Sequence, residues 1–237
     1  GRVEIGADHV DWFDYPLGGS ARHKQHVIDA LHPDAAFLVL NHLDKAGAYT
    51  LEDLGRLTGY DAIEVSSKYG TSSEYWDAAL SAGRPIWGMA SDDGHEQASK
   101  RSHLGIGAVV IHSAERTPEA ALRALREGRF HSLRTRRNEP PIELVRAEIE
   151  NGELVVQVGE RADAIRFYAD GGALRHEALG ADSARYRLRA EDPYVRVEVD
   201  AHGARLYLNP VLRWDGVALP EPRAELLTWP TWFIRVL

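Results

Sequence analysis

Residues 86–96 read IWGMASDDGHE. A run of apolar and small residues stops abruptly at two aspartates, a glycine and a histidine. If PIWGMA (85–90) is a buried strand, the polar cluster falls where that strand ends. The preceding chain repeats the pattern. AAFLVL (35–40) and AIEVS (62–66) read as buried strands, and IGAVVIH (106–112) as another. Helix signals lie between them. Ser20 can cap a helix to about Leu31, stopped by Pro33, and Thr50 can cap LEDLGRL. Ser72 or Ser73 opens a helix that Gly83 stops. Thr117 caps a fourth, with Pro118 at the first helical position and Gly128 as stop. Continuous apolar strands alternating with helices of about 10 residues predict a parallel sheet, whose ligands sit at the carboxyl ends of its strands.

The texture changes at RTRRNEPPIE (134–143), where a basic run and a double proline read as a linker. Beyond it, strands dominate. IELVRAEIENGELVVQVG reads as a hairpin turning at Asn151-Gly152, and Asp170-Gly171 and His202-Gly203 supply further turns. The expected organisation is an α/β portion over 1–133, a linker over 134–142 and a small antiparallel β-sandwich over 143–237.

Composition narrows the chemistry. The chain has 237 residues, enough for a real core, and 44% of them are apolar. Its formal charge of −8 argues against nucleic acid as a partner, because phosphate neutralisation needs a basic surface. With no cysteine, thiol nucleophiles and Cys-type zinc sites are excluded; 11 His and 36 Asp plus Glu leave His and carboxylates as the metal ligands. A cysteine-free chain suits cytoplasm or periplasm alike. No stretch reaches the roughly 20 apolar residues of a membrane span. The chain opens in strand-like sequence without an initiator Met and closes on the apolar TWPTWFIRVL. A piece of a longer protein is therefore expected.

Three strand ends or starts carry carboxylates or imidazoles. In SDDGHE, Asp93 and His95 are two apart, and Gly94 lets the backbone turn between them. That mixed oxygen and nitrogen set suits divalent ions. The same turn also suits an aspartate capping a helix. After AAFLVL come Asn41 and His42; near the start, Glu4 and His9 flank a short turn with Asp8 and Asp11 beside them. Other residues read more plainly. His23 and His26 suit a solvated helix face beside Lys24, and Lys45 a surface site, though it could meet an anionic substrate. Trp76 and Tyr75 read as core, His112 as a buried structural histidine, and Arg134, Arg136 and Arg137 as solvated linker residues. His103, with Lys100 and Arg101, reads as a basic loop.

These residues resemble the PHP (polymerase and histidinol phosphatase) superfamily. The resemblance lies in a strand ending Asn41-His42-x-Asp44, in YWDAALSAGRPIW followed by SDDGH, in ALREGRFHS, and in a strand-rich tail ending YVRVEVDAHGARLYLNP. It implies a partial or distorted (β/α)7 barrel followed by the β-domain, and a cluster of up to three Zn, Mn or Fe ions, with fewer here. It also implies hydrolysis of a small phosphorylated substrate by a metal-activated water. Carried over residue by residue, it makes Glu4, His9, His42, Asp93 and His95 the metal ligands, with Asp92 and Asn41 beside them to orient those ligands. The departures are Leu43, where the family has Pro after the His, and the absence of an opening His-x-His upstream of Glu4. His23, His26 and His32 come too late in the chain to replace it. The rival expectation is a non-catalytic module, in which a degenerate barrel scaffolds a β-domain that binds a glycan or a protein.

Overall fold

The structure, a computed structural model, describes residues 19–45, 48–94, 104–136 and 139–212. Its helices begin where the cap residues stand. The Ser20 hydroxyl accepts the His23 N–H and opens α1 (Ala21–Leu31). Thr50 and Asp53 form a reciprocal capping box at the start of α2 (Leu51–Arg56), which satisfies two backbone donors that a helix end leaves free. Thr117 caps α4 (Pro118–Arg126), with Pro118 at its start. The third helix, α3 (Ser73–Ser81), follows Ser72 without a side-chain cap. The face of α1 expected to be solvated is docked instead. Lys24 Nζ lies 2.6 Å from Asp53, Gln25 exchanges hydrogen bonds with the Thr58 backbone, and buried His23 accepts the Gly19 N–H.

The parallel part holds β1 (Val39–Leu40), β2 (Ala62–Ser67) and β4 (Trp87–Ala90), with β2 in the centre. A short β3 (Gly70–Thr71) turns back on the end of β2. Only two residues of the run 35–40 pair, so β1 is shorter than its apolar sequence suggests. Gly88 in β4 is required by packing. A Cβ there would sit 2.7 Å from the Trp76 ring, which is fully buried and held by its own N–H on the Ile86 carbonyl.

The remaining strands form one antiparallel sheet: β5 (Gly107–Ile111), β6 (Phe130–Arg134), β7 (Leu144–Glu150), β8 (Glu153–Ala169), β9 (Ala173–Arg187), β10 (Tyr194–Ala201) and β11 (Ala204–Leu212). Their order is β5-β6-β11-β10-β8-β7, with β9 along β8. Two expectations change here. The strand at 106–112 does not extend the parallel sheet; β5 pairs antiparallel with β6, and β6 with β11. Strand pairing therefore runs across the expected linker, and Arg134 is a β6 residue opposite Gly107 and Arg205. The second expectation was a two-sheet sandwich. The register shift between Gln157 and Ala162 lets the long β8 bend, so its first part pairs with β7 and its last part with β10. One sheet thus curls into a half-barrel over its own core.

β10 and β11 separate two cores. Val195, Val197, Val199, Leu206 and Leu208 face the core inside the curled sheet. Tyr194 and Tyr207, on the opposite side by the two-residue period, join the core of α1–α3 and the parallel strands. That second face carries a buried ion network. Arg196, 2% exposed, bonds Asp77 of α3 through Nε at 2.7 Å and Nη2 at 2.6 Å, and Glu198 through Nη1 at 2.6 Å. The Tyr194 hydroxyl donates to the same Asp77 at 2.7 Å. No helix among the described residues is long and apolar enough to cross a membrane.

Candidate functional site

The parallel strands bring three side chains to one edge. β1 ends at Leu40, and two residues later His42 turns with φ +55° before Leu43 enters the core fully buried. β4 ends at Ala90, and Asp93 follows with φ +45°. Between these strands, β2 supplies Glu64, only 3% exposed. Ile63 and Val65 join the helix-side core, so the strand period turns Glu64 to the other face.

A buried carboxylate needs partners, and Glu64 has them. Its Oε2 accepts the His42 backbone N–H at 3.0 Å and lies 3.1 Å from His42 Nδ1. Its Oε1 accepts the Ser91 hydroxyl at 2.5 Å. Ser91 Oγ in turn accepts the Asp93 N–H at 3.3 Å. The other nitrogen of the same imidazole, Nε2, is 3.5 Å from Asp93 Oδ1. One imidazole therefore stands between two carboxylates drawn from neighbouring strands.

Asp93 is closed off by Lys68. The Lys68 ammonium lies 2.8 Å from Asp93 Oδ2 and donates to the Asp93 carbonyl at 2.8 Å. The hydrogen bond to the Asp93 carboxylate raises the lysine pKa, with desolvation opposing it. Lys68 sits at the β2–β3 turn, on the same alternate positions as Glu64 and Ser66. Tyr69, beside it, is exposed, with the Lys68 ammonium 5.0 Å and the Lys45 ammonium 4.7 Å from its ring. The His42 ring meets Tyr69 edge-on at 5.9 Å. The rim of the site is therefore cationic and aromatic on a chain of net charge −8.

Backbone strain marks the same place. Outside glycine, the described residues hold a positive φ only at His42, Asp93, Asn151 and His202. Asn151 and His202 precede Gly152 and Gly203 in hairpin turns, where that conformation belongs. His42 and Asp93 have no hairpin to form. Such backbone costs of order 1–3 kcal/mol and gathers at working sites.

Among the expected site residues, His42 and Asp93 are brought together. Asp92 points elsewhere: its carboxylate accepts the Gly105 N–H at 2.9 Å and the Gly107 N–H at 2.7 Å, tying down the start of β5. Asn41 is exposed. Glu4, His9 and His95 lie outside the described residues, as do Lys100, Arg101 and His103. Sequence reasoning missed Glu64, Ser91 and Lys68. Glu64 was discoverable, because it is the one charged residue in AIEVSS and a buried strand tolerates a charge only for cause. The donor set of one imidazole and two carboxylates is chemically suited to a divalent ion. As it stands it is closed by its own hydrogen bonds and by Lys68; among the described residues no group of three or more His, Asp or Glu side chains is disposed to hold an ion.

A second histidine pair lies apart from this site. His131 Nδ1 is 2.9 Å from His112 Nε2, beside an open groove of about 650 Å³ walled by β6, β7 and β11. His112 is exposed, not buried as expected; His131 is the buried member. Burial, followed by the neighbouring His112, pushes the His131 pKa down to about 4. The chain matches no family model, no curated protein and no solved structure, so the reading of its site rests on these residues alone.

Proposed function

We propose that this chain carries the site of a metal-dependent hydrolase of the PHP type, a phosphoesterase acting on a small phosphorylated substrate, and that its parallel strands are part of a distorted barrel of that kind. One observation carries the reading. His42 and Asp93 follow the ends of two parallel strands and Glu64 lies on the strand between them; one imidazole stands 3.1 Å from Glu64 and 3.5 Å from Asp93, and His42 and Asp93 hold positive φ. A divalent ion would supply an activated water at neutral pH and would offset charge developing on phosphoryl oxygens.

The chain's own residues do the rest. An ion would take one nitrogen of His42 together with Glu64 or Asp93, which now face opposite nitrogens of that ring, joined by Glu4, His9 and His95 where those reach it. Ser91 fixes the Glu64 carboxylate by donating to Oε1, and the His42 N–H fixes the other oxygen. Lys45 and Tyr69 form a rim that favours an anionic substrate.

The test is ion content by elemental analysis, with turnover of p-nitrophenyl phosphate in Mn²⁺ or Zn²⁺. Glu64→Gln keeps the shape of the side chain and removes its charge. It should lower ion content and cut turnover by about 100-fold or more. Full turnover in Glu64→Gln, or in a variant lacking both His42 and Asp93 side chains, would falsify the proposal. One observation favours the rival non-catalytic module: Lys68 closes the carboxylate that an ion would need. That module predicts a folded chain with neither ion content nor turnover.

A further inference from the structure

The half-barrel leaves one side of its interior uncovered. His131 alternates with Leu133 along β6, and Leu208 stands opposite it on β11; both leucines belong to the core inside the curled sheet. On β7, Ile149 lies opposite Leu154, another member of that core, and shares its side of the sheet. Ile149 is nevertheless 54% exposed. Leu144, Ile149, Leu154 and Leu208 thus give the open groove of about 650 Å³ an apolar lining, and His112 and His131 stand at the same groove. Clefts of roughly 300–1,000 Å³ suit small molecules. The acids near the groove are already held: Glu127 lies 2.6 Å from Arg129, and Glu148 and Glu150 lie 2.8 and 2.7 Å from Arg146. A cationic guest therefore finds no free carboxylate. The histidine pair, by contrast, can take a proton and so offer charge to an anion.

We propose that this groove binds a small apolar carboxylic acid, its body on Leu144, Ile149, Leu154 and Leu208 and its carboxylate on the exposed ring of His112, with one proton taken up by the histidine pair. The inference is independent of the function proposed above. His131 is 4% exposed, and burial keeps its ring neutral at pH 7. A neutral imidazole has one nitrogen that accepts. With His131 Nδ1 as that acceptor, 2.9 Å from His112 Nε2, the His112 ring can donate through Nε2 to His131 and through Nδ1 to the guest. The added proton comes from solvent or from the acid itself, and the bound carboxylate balances its charge. Arg129 and Arg146 stay with their glutamates. Because the guest and the proton enter together, each favours the other by linkage.

The experiment titrates octanoate, 1-octanol and octylamine calorimetrically into the full chain. Octanoate should bind more tightly than the alcohol or the amine, and about three- to tenfold more tightly near pH 6 than near pH 8. Repeating the octanoate titration in two buffers of different ionisation enthalpy should show proton uptake on binding. His112→Ala alters an exposed residue and leaves His131 in place; it should bring octanoate down to the affinity of octanol and remove the pH dependence. Ile149→Ser, also at an exposed position, should weaken acid and alcohol alike. No octanoate binding by the folded chain overturns the proposal. So does an affinity for octanoate no greater than that for octanol or octylamine, an affinity that is the same at both pH values, or octanoate binding unchanged in His112→Ala.

Discussion

Removing the Asp77 carboxylate tests whether the two halves of the molecule are locked together by charge. Asp77, on α3, takes two hydrogen bonds from Arg196 and one from Tyr194, all between 2.6 and 2.7 Å. Asp77→Ala leaves the Arg196 guanidinium buried, with Glu198 at 2.6 Å as its remaining charged partner in the network and the Trp76 and Tyr168 rings at 5.5 and 4.5 Å. It also leaves the Tyr194 hydroxyl without its acceptor. Breaking a buried pair from one side costs about 3–5 kcal/mol, because the orphaned charge stays desolvated. Glu198 retains part of the Arg196 interaction, so about 3 kcal/mol is the working figure.

Urea unfolding followed by tryptophan fluorescence is the assay. With m of about 2–3 kcal/mol/M, 3 kcal/mol moves the midpoint down by about 1–1.5 M. Arg196→Met should cost about as much, since it removes the charged partner of Asp77, while Glu198 keeps Ser73 at 2.9 Å and Arg205 at 3.4 Å. Replacing all three charges with apolar residues of similar volume should restore much of the loss. A midpoint shift below about 0.3 M for Asp77→Ala, under about 1 kcal/mol, would refute the claim that this pair is buried and coupled. So would a triple replacement less stable than Asp77→Ala alone.

Two further outcomes follow from single residues. The folded pKa of His131, about 4, lies below its unfolded value near 6.5, so the unfolded chain binds more protons between those values. The contribution is fully present above pH 6.5 and is lost as pH falls towards 4. Relative to His131→Gln, the unaltered chain should lose about 2–3 kcal/mol between pH 7.5 and 4.5 in urea titrations, and a constant difference would contradict it. At the candidate site, His42→Gly removes the imidazole but keeps the N–H that Glu64 accepts, and it relieves the positive φ. Its unfolding free energy should be unchanged or raised by up to about 1 kcal/mol while the proposed phosphoesterase turnover disappears; a loss of stability above about 1 kcal/mol would mean that the strain is not stored there.

How much of this was legible in the sequence depends on how far each signal reaches. Helix caps are local, and Ser20, Thr50 and Thr117 stand where helices begin. His42 and Asp93 were legible because an apolar run that stops at a polar residue marks the end of a strand, and parallel strands share an edge. Pairing partners are not local. IGAVVIH has the same texture whether its neighbour runs parallel or antiparallel, and only the partner β6 settles it. The alternation in YVRVEVDA correctly separates Val195, Val197 and Val199 from Arg196 and Glu198. It gives no sign that α3, more than a hundred residues earlier in the chain, covers the charged face. A sequence that pairs Asp77 with Arg196 across that distance looks the same as one that solvates both.

The same reasoning ranks the features of the candidate site. A buried glutamate alone is explained by its hydrogen bonds, and a strained histidine alone by a tight turn. Glu64 could have been glutamine and kept most of those bonds at less desolvation cost. His42 and Asp93 could have been glycine, which accepts positive φ at no steric cost. The chain instead keeps an acid where burial penalises it, and a histidine and an aspartate where the backbone penalises them, all within reach of one ring. Stability favours a cheaper residue at each of the three positions, so what they share has to be something stability does not measure. Their common property is that they offer nitrogen and oxygen donors at one strand edge. That is the physical ground for placing the proposed chemistry there and not in the groove beside His131.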